Sequence, residues 1–133
     1  MSFEIFLQSF HNGEATNLPD ELITQLFLDH YAGKSLDVFI LKYPDGSRCE
    51  LSVSKDNPAA GLSVSHPPES LEFWRSVLSM LQQTPSCLYW PGGGPVICQL
   101  LVRDNLPRTM IEKLGEPLVV STPEQIVDAI RNS

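Results

Sequence analysis

The chain carries three cysteines and three histidines, the side chains best suited to nucleophilic catalysis and to metal binding. The cysteines stand at positions 49, 87 and 98, and the histidines at positions 11, 30 and 66. Zinc sites recognised from sequence have pairs of ligands a few residues apart, and these positions contain no such pair. Each cysteine lies in an apolar strand pattern, so we expect buried, reduced thiols, with no metal site and no catalytic cysteine.

Three consecutive glycines, Gly92, Gly93 and Gly94, could cradle a phosphate. A phosphate-binding loop of the P-loop type continues with Gly-Lys-Ser/Thr into a helix, and a dinucleotide fingerprint spaces its glycines ahead of a helix. Here the chain continues with Pro95, Val96 and Ile97, which is a strand pattern. We therefore expect a tight turn between two strands and no nucleotide cofactor.

Two further patterns have both a chemical and a structural interpretation. Tyr89 and Trp90 are either part of the core edge, which is the favoured interpretation, or aromatic anchors for a partner. Asp20 and Glu21 form an acidic pair, but charges at a helix start complement the helix dipole, so the pair does not indicate glycosidase chemistry. No catalytic residue is predicted from these patterns.

The charge of the chain is negative and uneven. The formal net charge is −7, and residues 1–37 hold six acids and one base, so five of the seven excess charges lie there. The acids are Glu4, Glu14, Asp20, Glu21, Asp29 and Asp37, and the base is Lys34. Nucleic acid is disfavoured as a partner because phosphate binding needs a basic patch. The charge either keeps the chain soluble or forms a docking face for a basic partner, with Glu14, Asp20, Glu21 and Asp29 as its residues.

Length and hydropathy predict one domain over residues 1–133. A chain of 133 residues can bury a sizeable core without disulfides or metals. Its first residues lack the basic region of a secretion signal, and no apolar run reaches the roughly 20 residues that span a bilayer. With reduced cysteines, these features predict a cytoplasmic protein with no membrane segment.

Local patterns predict a single α+β domain with a mostly antiparallel sheet, in the order β-α-β-β-β-α-β-β-α-β-α. Strand patterns cover residues 3–10, 36–43, 48–54, 61–65 and 117–120, with two more on either side of the glycine turn. Helix patterns begin at Pro19, at Pro67, near Asn105 and at Thr122, where Thr122 and Gln125 form a capping box. The first helix is expected to end at Gly33 and to bury Leu22, Ile23, Leu26, Phe27 and Tyr31.

Two stretches carry a resemblance to other proteins. The opening MSFEIFLQSF over residues 1–10 and the segment LYWPGG over residues 88–93 resemble an uncharacterised group of small bacterial proteins. Leu106, Pro107, Gly115 and Val119 extend the similarity over most of the chain. Small acidic domains of this kind look like immunity proteins, which implies stoichiometric binding of a toxin without turnover.

The function predicted from the sequence is therefore a non-enzymatic protein-binding module. The specific hypothesis is an immunity-type inhibitor that binds and neutralises a basic bacterial toxin. The alternative is a small cytoplasmic enzyme, a hydrolase or a transferase, with its site near the loop from Tyr89 to Gly94. A self-associating structural domain is a third possibility.

Overall fold

The computed structural model describes residues 3–35, 38–54 and 61–133. Within them the chain forms nine strands, four α-helices and two short 3-10 helices. The elements are β1 (Glu4–His11), β2 (Glu14–Thr16), α1 (Asp20–Phe27), a 3-10 helix (Leu28–His30), β3 (Tyr31–Ser35), β4 (Val38–Lys42), β5 (Arg48–Ser54), β6 (Gly61–Ser65), α2 (Leu71–Gln83), β7 (Ser86–Trp90), β8 (Gly93–Ile97), a second 3-10 helix (Leu100–Asn105), α3 (Arg108–Leu114), β9 (Leu118–Val119) and α4 (Pro123–Arg131).

All nine strands belong to one sheet with the order β3-β4-β5-β6-β1-β7-β8-β9, and β2 forms a hairpin with β1. Strand β1 lies in the middle and pairs antiparallel with β6 and β7. The parallel pair is β8 with β9, which follows from the crossover through α3. The predicted α+β domain with a mostly antiparallel sheet is thus confirmed.

The main core lies between one face of the sheet and helices α1, α2 and α4. Ile5 and Leu7 of β1 and Leu88 of β7 face Phe27 of α1 and Phe73 of α2 in this cluster. These side chains alternate along their strands with side chains of the opposite face. Helix α2 packs against both α1 and α4 and so forms the centre of the helical layer.

A second, smaller core covers part of the opposite face. Its buried members are Phe10, Cys87, Ile97, Val102 and Leu106. The second 3-10 helix and α3 supply the cover, and Met110 and Ile111 of α3 pack against the cluster. Strand β1 is therefore covered on both faces, as its run of consecutive apolar residues predicts.

The end of the first helix was predicted wrongly. Helix α1 ends at Phe27, and the chain tightens into a 3-10 turn before entering β3, an edge strand. The His30 ring stacks on Tyr43 at 4.3 Å between ring centroids, a tertiary contact that the helical pattern does not reveal. Tyr31, predicted to be buried, is 52% exposed, and Gly33 lies in an irregular part of the β3–β4 pairing and is not a helix cap.

Smaller differences occur at other helix and strand ends. Helix α2 begins at Leu71 and not at Pro67, because the Trp74 indole donates to the carbonyl of Pro68 at 2.9 Å and holds that segment outside the helix. Leu71 shares the helical spacing of the buried residues Trp74 and Leu78 but is exposed. Strands β2 and β3 were not predicted. Two predicted strand ends lie outside the described residues. They are the start of one strand at Leu36 and the end of the next strand at residues 55–58.

Candidate functional site

The four carboxylates predicted to bind a partner all lie at the surface. Glu14 is on β2, Asp20 and Glu21 are in the first turn of α1, and Asp29 is in the following 3-10 helix. All four are exposed, and none forms a salt bridge with a described residue. We call these four residues the acidic surface. Of the four, only Asp20 and Glu21 are adjacent in the sequence.

The two aromatic candidates point to opposite faces of the sheet. Trp90 is 2% exposed and belongs to the main core, where its indole N–H donates to Ser133 Oγ at 3.1 Å. Tyr89 is half-buried on the other face and stacks on Phe6 at 5.3 Å between ring centroids. For Trp90 the structure therefore supports the core interpretation. The two rings do not form a joint aromatic anchor.

The glycine turn has the geometric role that the sequence predicts. Gly92, between β7 and β8, and Gly94, near the start of β8, adopt left-handed backbone angles, with φ of +85° and +83°. Gly93 lies directly against the Trp90 indole, and a Cβ at Gly94 would come within 2.9 Å of the Tyr89 Cα. The loop therefore needs glycine for packing as well as for its backbone conformation.

The three thiols are free, as expected, and their surroundings keep them protonated. Cys49 and Cys87 are buried, and Cys98 is partly buried. Burial raises the pKa of Cys49 and of Cys87 to about 12 and the pKa of Cys98 to about 11. A thiolate nucleophile at neutral pH requires the opposite shift.

The histidines are dispersed over the structure. His30 stacks on Tyr43, and its Nε2 lies 3.6 Å from a carboxylate oxygen of Glu72. His11 and His66 are exposed at the ends of β1 and β6. Within residues 3–35, 38–54 and 61–133, no group of three or more metal-ligating side chains comes together.

A cavity of about 470 Å³ lies between α4 and the strands β8 and β9. Trp90, Gly94 and Pro95 line its side at the glycine turn, and Asp128 lines its helical side. No sequence pattern predicts this site. The residues of α4 that line the cavity have the spacing of one helix face, and they are Gln125, Asp128, Ala129 and Asn132. A solvent-exposed helix face has the same spacing, so this pattern does not distinguish a binding site from a plain surface.

An exposed apolar strip runs along the sheet edge next to the cavity. Its members, which we call the apolar edge, are Leu100, Leu101, Leu118 and Val119, each 47–77% exposed. Val119 pairs with Ile97, and Leu100 follows Ile97 by three residues, so the backbones of the two parts lie within roughly 15 Å of each other. Exposed apolar patches of this kind mark interaction surfaces in soluble proteins.

An ion pair holds the two parts of the apolar edge together. Arg103, in the second 3-10 helix, donates from Nε and Nη2 to the two carboxylate oxygens of Glu116 at 2.8 and 2.7 Å. Glu116 precedes β9 by two residues. A two-bond arginine–carboxylate pair restricts orientation more than a single contact does, and this pair links the second 3-10 helix to the segment before β9.

Comparison with protein-family models, with curated proteins and with solved structures finds no match to this chain. The resemblance to immunity-type proteins therefore stays a prediction. In the described part of the chain, no helix combines the length and apolar character needed to cross a membrane.

Proposed function

We propose that this protein is a non-enzymatic protein-binding module that acts in the cytoplasm as an immunity-type inhibitor of a basic bacterial toxin. The observation that carries the proposal is the acidic surface. Its four carboxylates are exposed and are not neutralised by any described salt bridge, so they are available to lysine and arginine side chains of a partner.

The physical advantage of such a surface is in the rate of association. Opposite charges on two proteins attract each other before contact and raise the association rate above that of neutral partners. Salt weakens the effect, because charges more than about 10 Å apart are largely screened at 0.1 M ionic strength. An inhibitor that must capture a toxin before it acts benefits from this gain.

The apolar edge supports the same proposal. Stable interfaces combine a desolvated apolar centre with a polar rim. Leu100, Leu101 and Val119 provide apolar area, and the partly exposed Arg103–Glu116 pair lies beside them. Burial of the apolar edge would increase the affinity for the partner, whereas the acidic surface would increase the rate of association.

The enzyme alternative keeps one specific observation in its favour. The cavity adjoins Trp90 and Gly94, at the loop where the sequence places the site of a small hydrolase or transferase, and its volume is within the range of ligand pockets. Asp128 is the acid–base group that such an enzyme would use there. The lining contains neither histidine nor cysteine among the described residues.

Affinity capture in the native host, followed by a growth assay, tests the proposed function. Three tagged baits are compared: wild type, the reversal E14K/D20K/E21K/D29K, and a matched control, E50K/E69K/E112K/E124K, whose four glutamates are also exposed. Both variants have the same net charge, so they separate position from total charge.

The proposal expects one basic protein with the wild-type and control baits and its loss with the reversal bait. Production of that protein alone should stop growth, and co-production of this chain should restore it. Identical captures by all three baits, or toxicity that the chain does not relieve, would contradict the proposal.

A further inference from the structure

The cavity between α4 and the sheet has an apolar wall and a polar rim. Trp90, Pro95 and Val96 form the wall on the β7–β8 side, and all three are buried. Leu118 of β9 and Ala129 of α4 extend this wall. Such a surface accepts an aliphatic stem, since each buried methylene contributes about 0.8 kcal/mol.

The charged side chains that line the cavity are the carboxylates of Glu116 and Asp128, and they differ in availability. Glu116 is already bound by Arg103 through two hydrogen bonds. Asp128 is exposed at the cavity and forms no salt bridge with a described residue. The lining contains no lysine, arginine or histidine among the described residues, so the charge of Asp128 is not balanced within the cavity.

Two hydrogen-bond donors at the cavity, those of Trp90 and Ser133, have internal partners. The Trp90 indole N–H donates to Ser133 Oγ at 3.1 Å, and the Ser133 hydroxyl donates to the carbonyl of Ile130 at 2.7 Å. The Gln125 carboxamide is held by its oxygen, which accepts from the backbone N–H of Ser121 at 2.6 Å and of Thr122 at 3.2 Å. Because the Gln125 oxygen is occupied, its amide N–H groups are the part of that side chain left for a ligand, and the group at the cavity that favours a cation is the unbalanced carboxylate of Asp128.

We propose that this cavity binds the side chain of a lysine or an arginine that the basic partner presents to it. Such a side chain has an aliphatic stem for the wall of Pro95 and Leu118 and a cationic end for Asp128. This inference rests on the proposed function, because that function supplies the basic partner. The cavity is a second contact with the partner, in addition to the acidic surface. It is formed within residues 90–133, whereas the acidic surface lies within residues 14–29, and it recognises one side chain of the partner.

Proton–nitrogen correlation NMR of the isolated, full-length protein tests the site with small probes. Nα-acetyl-lysinamide is the cationic probe, and Nα-acetyl-norleucinamide, with a similar stem and no charge, is the neutral one. The chain has two tryptophans, so the Trp90 indole N–H reports on the cavity. The Trp74 indole N–H, bonded to the Pro68 carbonyl, serves as an internal reference.

The cationic probe is expected to shift the Trp90 indole signal and the backbone amides of Ala129 and Asn132, and to leave Trp74 unmoved. Asp128→Asn should weaken this binding about three- to fivefold, the range of an exposed ion pair. Glu124→Gln is the matched control, because Glu124 lies one turn earlier on α4 and outside the cavity lining; its binding should equal that of wild type.

Equal shifts by the lysine and norleucine probes, an unmoved Trp90 signal, or undiminished binding by Asp128→Asn would overturn the cavity proposal. This titration contains no partner protein, so its outcome is separate from the capture experiment. If a basic toxin is captured but the titration shows no binding, the cavity proposal fails and the proposed function stands. If the titration shows binding but no basic toxin is captured, the proposed function fails and the cavity remains a cation-binding site.

Discussion

Gly93 lies in direct contact with the indole of Trp90. A Cβ built on Gly93 would meet Nε1 of that ring and would come within 2.5 Å of Cε2 and 2.9 Å of Cδ1. The indole is 2% exposed and part of the main core, so it has little room to move. The contact explains why the turn between β7 and β8 carries glycine even where the backbone angle does not demand it.

Gly93→Ala is therefore expected to lower the free energy of unfolding by about 1–3 kcal/mol, the usual cost of overpacking a core. Urea unfolding followed by tryptophan fluorescence measures the change. Gly33→Ala is the control, because a Cβ at Gly33 meets nothing within 4 Å. If both variants unfold at the same urea concentration, the Gly93–Trp90 contact does not limit packing.

The capping box of α4 provides a second stability prediction. Thr122 Oγ1 accepts from the Gln125 N–H at 3.2 Å, and Gln125 Oε1 accepts from the Thr122 N–H at 3.2 Å. Thr122→Ala removes the first bond and should lower the free energy of unfolding by about 1 kcal/mol. Thr24→Ala, at an exposed position within α1, should cause no loss in the same urea assay. An unchanged Thr122→Ala protein would show that the cap contributes nothing.

Alkaline pH should destabilise the protein. Burial raises the pKa of Cys49 and of Cys87 to about 12, whereas an unfolded cysteine has a pKa of about 8.5. The folded state therefore binds these protons more tightly than the unfolded state does. The free energy of unfolding keeps its full value below pH 8.5 and decreases as the pH rises toward 12. Burial raises the pKa of Tyr43 as well, with the same sign.

Urea unfolding at pH 7.5, 9 and 10 measures this dependence. The free energy of unfolding should decrease across the series, and Cys87→Ala should show a smaller decrease than wild type, because one of the titrating groups is gone. A free energy of unfolding that stays constant from pH 7.5 to pH 10 would contradict the assignment of protonated, buried thiols.

The apolar edge should affect binding and not folding. Leu101 is 77% exposed, so Leu101→Ser should change the free energy of unfolding by less than about 0.5 kcal/mol. The same substitution should weaken binding to the captured partner severalfold, as measured by calorimetry. Leu71→Ser is the control, since Leu71 is exposed on α2 and lies outside the apolar edge. Equal affinities for the two variants would exclude the edge from the interface.

Much of the fold could be predicted because its signals are local. The capping box at Thr122 depends on residues a few positions apart and occurs as predicted, and the strand patterns that end at residue 43 and begin at residue 48 pair through a turn at residues 44–47. Gly115, with φ of +99°, ends α3 in the same way. The consecutive apolar residues of β1 likewise indicate a strand with cover on both faces, which is the position that β1 has in the sheet.

The remaining features depend on contacts between distant residues. The turn that ends α1 is accompanied by the stacking of His30 on Tyr43, thirteen positions later, and β3 has no strand signal apart from its pairing with β4. The cavity needs the register of β9 on β8 as well as the position of α4, and neither is visible in the spacing of Asp128 and Asn132.

The most direct test of the proposed function is the association rate with the purified basic partner, measured by stopped-flow fluorescence between 25 and 500 mM salt, a span over which the screening length changes from roughly 20 Å to roughly 4 Å. Wild type is compared with E14K/D20K/E21K/D29K and with the control E50K/E69K/E112K/E124K. The account predicts that the reversal of the acidic surface slows association at low salt and removes most of its salt dependence, while the control variant stays closer to wild type. Equal rates and equal salt dependence for wild type and the acidic-surface variant would contradict it.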